Sequence, residues 1–389
     1  MKIVLSGVET HNKGAELMLY AILQEIERKF PTATVYLPVD GVRQGKAYVK
    51  TSLNLKYKPI DKWFRLAQRT RWNGLMYRFG LLGGMMMDVF AIKKADYFLD
   101  GSGLLFSDQQ RLTDIGHYKW EHLLKRQKAE GTKIVFLPQA FGPIEKSETK
   151  QVVAVLGKYA DVIMPREQVS YNYMANCGLI DEKKLRRFTD FTSLVHADCP
   201  ETYKHLAGQV CLIPNKRMVD QGVIGWDAYL HLLQRIAEAV QAQQKKLYLL
   251  NHEGVGDEKI ARRISNSLPY PVEVVTGLNA LDTKGVISTA YAVISSRFHG
   301  VASALNSCVP CLATSWSHKY AALFNDYGLN DCILPINDEN LCIQMIESIL
   351  SPDMNTRIRE QLASTLLKIE KETLKMWDVV WEDTHNFSK

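Results

Sequence analysis

Short apolar runs, each followed by a stretch of helical periodicity, recur along this chain in two consecutive sets, and that order leaves few folds open. In the first set the runs Ile3–Gly7, Thr34–Leu37, Asp96–Asp100, Lys133–Pro138 and Asp161–Pro165 read as buried strands. Helical patterns at Gly14–Phe30, Tyr118–Glu130 and Gln168–Cys177 lie between or after them. The cycle then restarts. Strands are expected at Gln209–Pro214, Lys246–Asn251, Val272–Val275, Ala292–Ser295 and Cys311–Thr314, with helices at Trp226–Gln244 and Asp257–Ser267. Unbroken apolar strands belong in parallel sheets covered on both faces, and parallel neighbours need helical crossovers. The expectation is an α/β protein of two Rossmann-like, doubly wound domains facing a cleft. They span 1–204 and 205–389, and the last helices, Asn340–Leu350 and Thr356–Trp377, pack back on the first domain.

A length of 389 residues is too great for one ordinary core, which asks for two domains independently of the pattern. The formal charge of +6 is spread along the chain rather than gathered in one arm. It suits acidic small substrates or an anionic membrane surface, and no nucleic-acid-binding module accompanies it. Residues 61–87 interleave Lys62, Arg65, Arg69, Arg71 and Arg78 with Trp63, Phe64, Trp72, Tyr77 and Phe79. That mixture fits a peripheral helix on anionic lipid as well as a helix pair covering the sheet. Met1–Gly7 reads as a first strand rather than a signal peptide, and no apolar stretch is long enough to span a bilayer. Seven cysteines lack framework spacing, and the Cys308–Cys311 pair has Pro310 inside it and no second ligand pair. Reduced thiols in a cytoplasmic protein are the reading, and no metal site is expected.

The chemistry concentrates at Arg297-Phe298-His299-Gly300, where the strand Tyr291–Ser295 passes into a small-residue helix from Gly300. In open α/β sheets ligands bind at the carboxyl ends of strands, where helix N-termini offer N–H groups to anions. A guanidinium and an imidazole at such a junction make an anion site with a proton donor.

An ordered set of motifs resembles the polysaccharide pyruvyl transferase family from about residue 5 to 330. Gly7 with Asn12-Lys13-Gly14-Ala15-Glu16 is similar to its first glycine loop, with Ala15 where an acidic residue is frequent. Leu99-Asp100-Gly101-Ser102-Gly103 with Asp108 beyond it resembles its strand-to-GGG turn, with Ser102 for the middle glycine. Leu137-Pro138-Gln139-Ala140-Phe141-Gly142-Pro143 resembles a Q-G-x-G-P turn, and Arg166-Glu167-Gln168-Val169-Ser170 an R-D-x-x-S segment. Arg297-Phe298-His299 matches R-[LF]-H, and Val309-Pro310 and Lys319 match the family's residues downstream of that motif.

The resemblance implies a GT-B-like fold and transfer of pyruvate from phosphoenolpyruvate to two hydroxyls of a sugar, with phosphate released and no further cofactor. Phosphoenolpyruvate carries a carboxylate and a phosphate, so its site needs cations, and Arg captures such groups bidentately. On that basis His299 is the expected acid/base and Arg297 the anion clamp. Arg166, Arg217, His252, His318 and Lys319 are the further donor contacts. Asp108 would deprotonate or orient an acceptor hydroxyl or else cap a helix, and Asn12, Glu16, Asp100 and Gln139 would line the acceptor side. The acceptor implied is a bacterial surface glycan, on a lipid carrier at the cytoplasmic membrane face. The alternative is a nucleotide-sugar glycosyltransferase of the same architecture. That enzyme needs an acidic ribose clamp, and Asp326 stands here without an E-x₇-E pairing.

Overall fold

The computed structural model describes residues 1–10, 12–37, 51–57, 94–110, 112, 114–315 and 319–382. The basic-aromatic stretch 61–87 and His318 lie outside these residues. The chain divides into two compact units, Met1–Phe191 with Thr373–Lys389, and Thr192–Glu372. The domain boundary drawn from sequence lies later, at 204/205.

The first unit is built on strands β1 (Lys2–Ser6), β2 (Thr34–Leu37), β3 (Asn54–Tyr57), β4 (Tyr97–Asp100), β5 (Lys133–Gln139) and β6 (Val162–Pro165). They pair in parallel in the order β3-β2-β1-β4-β5-β6. Every residue of β4, β5 and β6 is buried, which is why these segments read as apolar without alternation. β3 is a strand that periodicity did not reveal: its sequence, NLKY, is too short and too polar to stand out.

The second unit carries β7 (Val210–Ile213), β8 (Leu247–Leu250), β9 (Glu273–Val275), β10 (Ala292–Ser295) and β11 (Cys311–Ala313), again parallel, in the order β11-β10-β7-β8-β9. Both orders start at a central strand, wind outward one way, then return to its other side. This is the doubly wound pattern, and it puts a topological switch point between β1 and β4 and another between β7 and β10. The helix Trp226–Ala242 shows how the sheet is covered: Tyr229, Leu232, Leu233, Ile236, Ala237 and Val240 are buried at helical spacing.

The long helix Pro352–Trp381 ends in the first unit. Trp377 and Trp381 stack with centroids 5.7 Å apart, Trp377 meets Phe191 edge-on, and Trp381 packs against Phe30 and Tyr97. Trp381 Nε1 donates to Glu25 Oε1 at 2.9 Å. Lys133 Nζ, largely buried at the start of β5, donates to the Val379 carbonyl at 3.1 Å and to that of Glu382. A cation there meets the negative end of the helix dipole and satisfies carbonyls that have no partner within the helix. Among the described residues no helix is long and apolar enough to cross a membrane, and all seven cysteines are free thiols.

Trp377 is 1% exposed. Its replacement in Trp377→Ala should destabilise the first unit by about 3–5 kcal/mol, because the surroundings refill so large a void only in part. Urea unfolding checks this, and an unchanged midpoint would show that the aromatic cluster does not anchor the helix.

Candidate active site

In the second unit a buried polar network ties three neighbouring strand ends together, and Ser296, just past β10, is its centre. The Ser296 carbonyl accepts from Asn215 Nδ2, beyond the end of β7, and from the Tyr320 hydroxyl, both at 2.8 Å. Its hydroxyl meets that of Tyr229 at 2.8 Å and accepts from Thr314 Oγ1, past the end of β11, at 2.6 Å. Tyr229 Oη also accepts from the Asn215 N–H at 2.9 Å. Burial pushes the Tyr229 hydroxyl up to about 12, so it stays protonated and able to donate. Neutral groups with their hydrogen bonds made are inexpensive to bury and hold one geometry. The switch point between β7 and β10 is thereby rigid.

Arg297 leaves this platform as the residue before the helix Phe298–Leu305, its N–H donating to Ser295 Oγ at 3.0 Å. Its guanidinium is gripped at the start of the helix Gly254–Ser267, which follows β8. Nε and Nη2 lie 2.7 and 2.6 Å from Asp257 Oδ2, and Nη1 lies 2.5 Å from Glu253 Oε2. Asp257 is 1% exposed, and its other oxygen accepts from the Lys216 N–H at 2.9 Å. Burial pushes the Asp257 carboxyl up to about 6, against the opposing pull of Arg297 and the Lys216 N–H, while the Glu253 charge adds to the rise. One guanidinium between two carboxylates leaves one of them poorly compensated. Nothing in the linear order links Asp257 to Arg297, 40 residues away.

The other expected donor residues sit at adjoining strand ends. His299 is half-buried in the first turn after Arg297, its ring meeting Phe298 edge-on at 5.2 Å. Lys319 Nζ lies 5.5 Å from the centroid of the Phe298 ring, so the helix Lys319–Asp326 brings a cation to the motif. Arg217 is exposed beyond β7, its N–H anchored on Asn215 Oδ1 at 2.9 Å. His252 comes after β8 and is buried.

The first unit uses its motif residues mainly to fix turns. Asp100 and Gln139, expected from sequence on the acceptor side, are fully buried. Gln139 Nε2 donates to Asp100 at 3.1 Å, and Asp100 also accepts from the Ser102 N–H and hydroxyl and from Ser6. Burial raises the Asp100 carboxyl, and those four hydrogen bonds pull the other way. Gly7, at φ +72°, lies so close to Ser102 that an added Cβ would stand 2.5 Å from its backbone nitrogen. Ser170 holds the next turn, its hydroxyl accepting from the Phe141 N–H at 2.7 Å and donating to the Phe141 carbonyl at 3.1 Å. A Cβ on Gly142, at φ +76°, would meet the Tyr173 ring at 2.5 Å.

Asp108 likewise anchors a chain reversal. Its carboxylate accepts from the Glu145 N–H (2.7 Å), the Lys146 N–H (3.2 Å) and the Thr149 side chain, at the entrance to the helix Ser147–Tyr159. Partial burial would raise its pKa, but these donors and the Lys146 charge outweigh it and hold the group below the usual range. The two backbone donors precede the helix, whose N-cap residue Lys146 has no side-chain cap, so Asp108 braces the reversal rather than capping the helix. Asn12 caps the helix Lys13–Lys29 through Gly14 (2.8 Å) and Ala15 (3.2 Å), and Glu16 is buried within that helix. Arg166, expected from sequence as a donor contact, is 5% exposed and pairs with Asp190 at 3.1 Å and Glu167 at 3.7 Å. Among the described residues no group of three acidic, histidine or cysteine side chains is arranged to hold a metal ion.

The family described as polysaccharide pyruvyl transferase matches residues 12–318 of the chain. No curated protein matches it. Among solved structures, a Listeria monocytogenes protein assigned as a UDP-N-acetylglucosamine 2-epimerase is 11% identical. The match covers 100% of this chain and 97% of that one at a TM-score of 0.62. The UDP-GlcNAc 2-epimerase of Neisseria meningitidis is similar at 10% identity over 96% and 100% of the two chains, TM-score 0.56. WaaG, a glycosyltransferase involved in lipopolysaccharide biosynthesis, is similar at 9% over 98% and 100%, TM-score 0.55. At such identities the likeness is one of fold, and the fold is that of the GT-B enzymes, two Rossmann-like domains as expected from sequence.

The Asp257 carboxyl sets a pH dependence. Its folded value of about 6 lies above the ordinary 3.8, so the native state retains a proton that the unfolded chain releases. The contribution is therefore complete below about pH 4 and is lost as pH rises through 6, on the order of 2–3 kcal/mol. Denaturation across this range should show Asp257→Asn lacking that slope. Parallel curves for variant and parent would mean Asp257 titrates normally.

Proposed function

The chain belongs to the polysaccharide pyruvyl transferase family, and from that premise we propose that it transfers pyruvate from phosphoenolpyruvate to two hydroxyls of a sugar in a bacterial surface polysaccharide or its lipid-linked precursor. The observation that carries the reading is the Arg297-Phe298-His299 junction, where an aimed guanidinium and an imidazole stand together at the switch point of the second unit.

The donor presents a carboxylate and a phosphate flanking an enol C2=C3 bond. A sugar hydroxyl adds to C2 while C3 takes a proton and becomes the methyl group. Phosphate then leaves C2 with the bridging electron pair, and the second hydroxyl closes the ring as it loses its proton. Both hydroxyl protons are accounted for: one balances C3, the other goes to phosphate or solvent. His299 is assigned the proton transfer, because imidazole is the side chain whose unperturbed pKa lies nearest neutrality. Arg297 holds the donor anion and stabilises charge on the departing phosphate, with Arg217, Lys319, His318 and His252 as further donor contacts. Acceptor recognition is assigned to Asn12 and Glu16 of the first unit, where Asp100, Gln139 and Ser170 act by holding the turns at the strand ends.

Incubation with phosphoenolpyruvate and a panel of free and lipid-linked glycosides tests this, with phosphate release and the mass gain of one pyruvate as readouts. His299→Ala should slow turnover about 10²–10⁴-fold, and Arg297→Ala about 10²–10³-fold. Absence of phosphoenolpyruvate binding together with tight binding of uridine diphosphate would replace this reading with the nucleotide-sugar alternative.

Membrane association belongs to the same proposal, since a lipid-linked acceptor sits at a bilayer surface. Replacing Lys62, Arg65, Arg69, Arg71 and Arg78 with glutamine should abolish co-sedimentation with anionic vesicles, each charge having contributed about 1 kcal/mol. Equal pelleting of parent and variant would remove that part of the proposal.

A further inference from the structure

The two carboxylates on Arg297 are not equivalent. Asp257 is built in: it is buried, takes the Nε–Nη2 edge with one oxygen, and is itself fixed by the Lys216 N–H. Glu253 is lightly held. Its side chain is 27% exposed, and although it stands at the N-cap position of Gly254–Ser267, it makes no capping hydrogen bond. Its carboxylate meets Arg297 through Nη1 alone. The adjacent residue, Gly254, has φ +67° and open space where a side chain would stand.

A guanidinium has five N–H donors. Asp257 engages Nε–H and Nη2, and Glu253 engages Nη1, so the Nη1–Nη2 end is held by Glu253 through one nitrogen. With Glu253 withdrawn, that end can take an oxyanion bidentately. The obstacle is charge: with both carboxylates ionised the cluster is net negative, and an incoming phosphate or carboxylate would lie beside the Glu253 oxygens.

We propose that Glu253 is a built-in placeholder anion on the donor-facing end of Arg297, and that a substrate phosphate or carboxylate binds by displacing it while Asp257 keeps the guanidinium aimed. Glu253 thereby sets donor affinity and selects for anions charged enough to displace a carboxylate. This rests on the assignment of Arg297 as the donor clamp, and it names the residue that regulates that clamp.

The test is calorimetric titration of the full chain and of Glu253→Gln with two probes, phosphoenolpyruvate and inorganic phosphate. Like charges placed side by side in an interface cost several kcal/mol. Removing one of them should therefore lower the Kd for both probes by roughly tenfold or more, with the donor KM falling in step. The substitution is isosteric at a partly exposed position, and an unchanged melting temperature verifies folding. Unchanged or weaker binding of both probes by Glu253→Gln overturns the proposal. A gain for phosphate without any binding of phosphoenolpyruvate supports the placeholder and rejects the donor assignment. A gain that persists when Arg297→Ala is added overturns it as well, because the effect would then not act through that guanidinium.

Discussion

A guanidinium at the end of a buried strand needs acceptors that match its fork, and for Arg297 the second unit supplies them as the carboxylates of Asp257 and Glu253. Asp257 faces Arg297 along one edge of its fork, so the side chain is oriented as well as neutralised. Behind it Ser296 gathers hydrogen bonds from Asn215, Tyr229, Thr314 and Tyr320, which locks the strand ends of β7, β10 and β11 together. Orientation of the cation and rigidity of its platform are the same property seen at two depths. A loose platform would let the fork rotate away from its partners, and a bidentate contact tolerates little rotation.

The first unit shows the other use of polar groups at a switch point. Asp100, Gln139, Ser102 and Ser170 direct their hydrogen bonds to turns, and the glycines at 7 and 142 allow those turns to close against neighbours. Residues that read as ligand contacts in a linear motif are here the means of shaping a loop. A motif records that a position is constrained without saying whether a ligand or a backbone imposes the constraint.

The architecture is shared with epimerases and glycosyltransferases at about a tenth of identical residues. A fold so widely reused says little about which anion is bound. What would separate the proposed phosphoenolpyruvate site from a nucleotide site is the local set of charges, here Arg297, His299, Lys319 and Arg217 with the two carboxylates that meet the first of them. The chemical reading therefore stands on one strand end and on family membership, not on the shape of the chain.

Much of the fold was legible in the order of residues alone. Two sets of apolar strands and amphipathic helices dictated two doubly wound sheets, because a buried parallel strand has no polar face to interrupt it, and the place of Arg297-Phe298-His299 at a strand end followed from the same pattern. β3 escaped notice because four half-polar residues carry no periodic signal. The partnership of Arg297 with Asp257 and Glu253, the enclosure of Arg166 by Asp190, and the anchoring duty of Asp108 were decided only by tertiary structure. Periodicity is local and survives in one dimension. Which charge neutralises which depends on helices brought together by crossovers tens of residues long, and that information exists only once the sheet has formed.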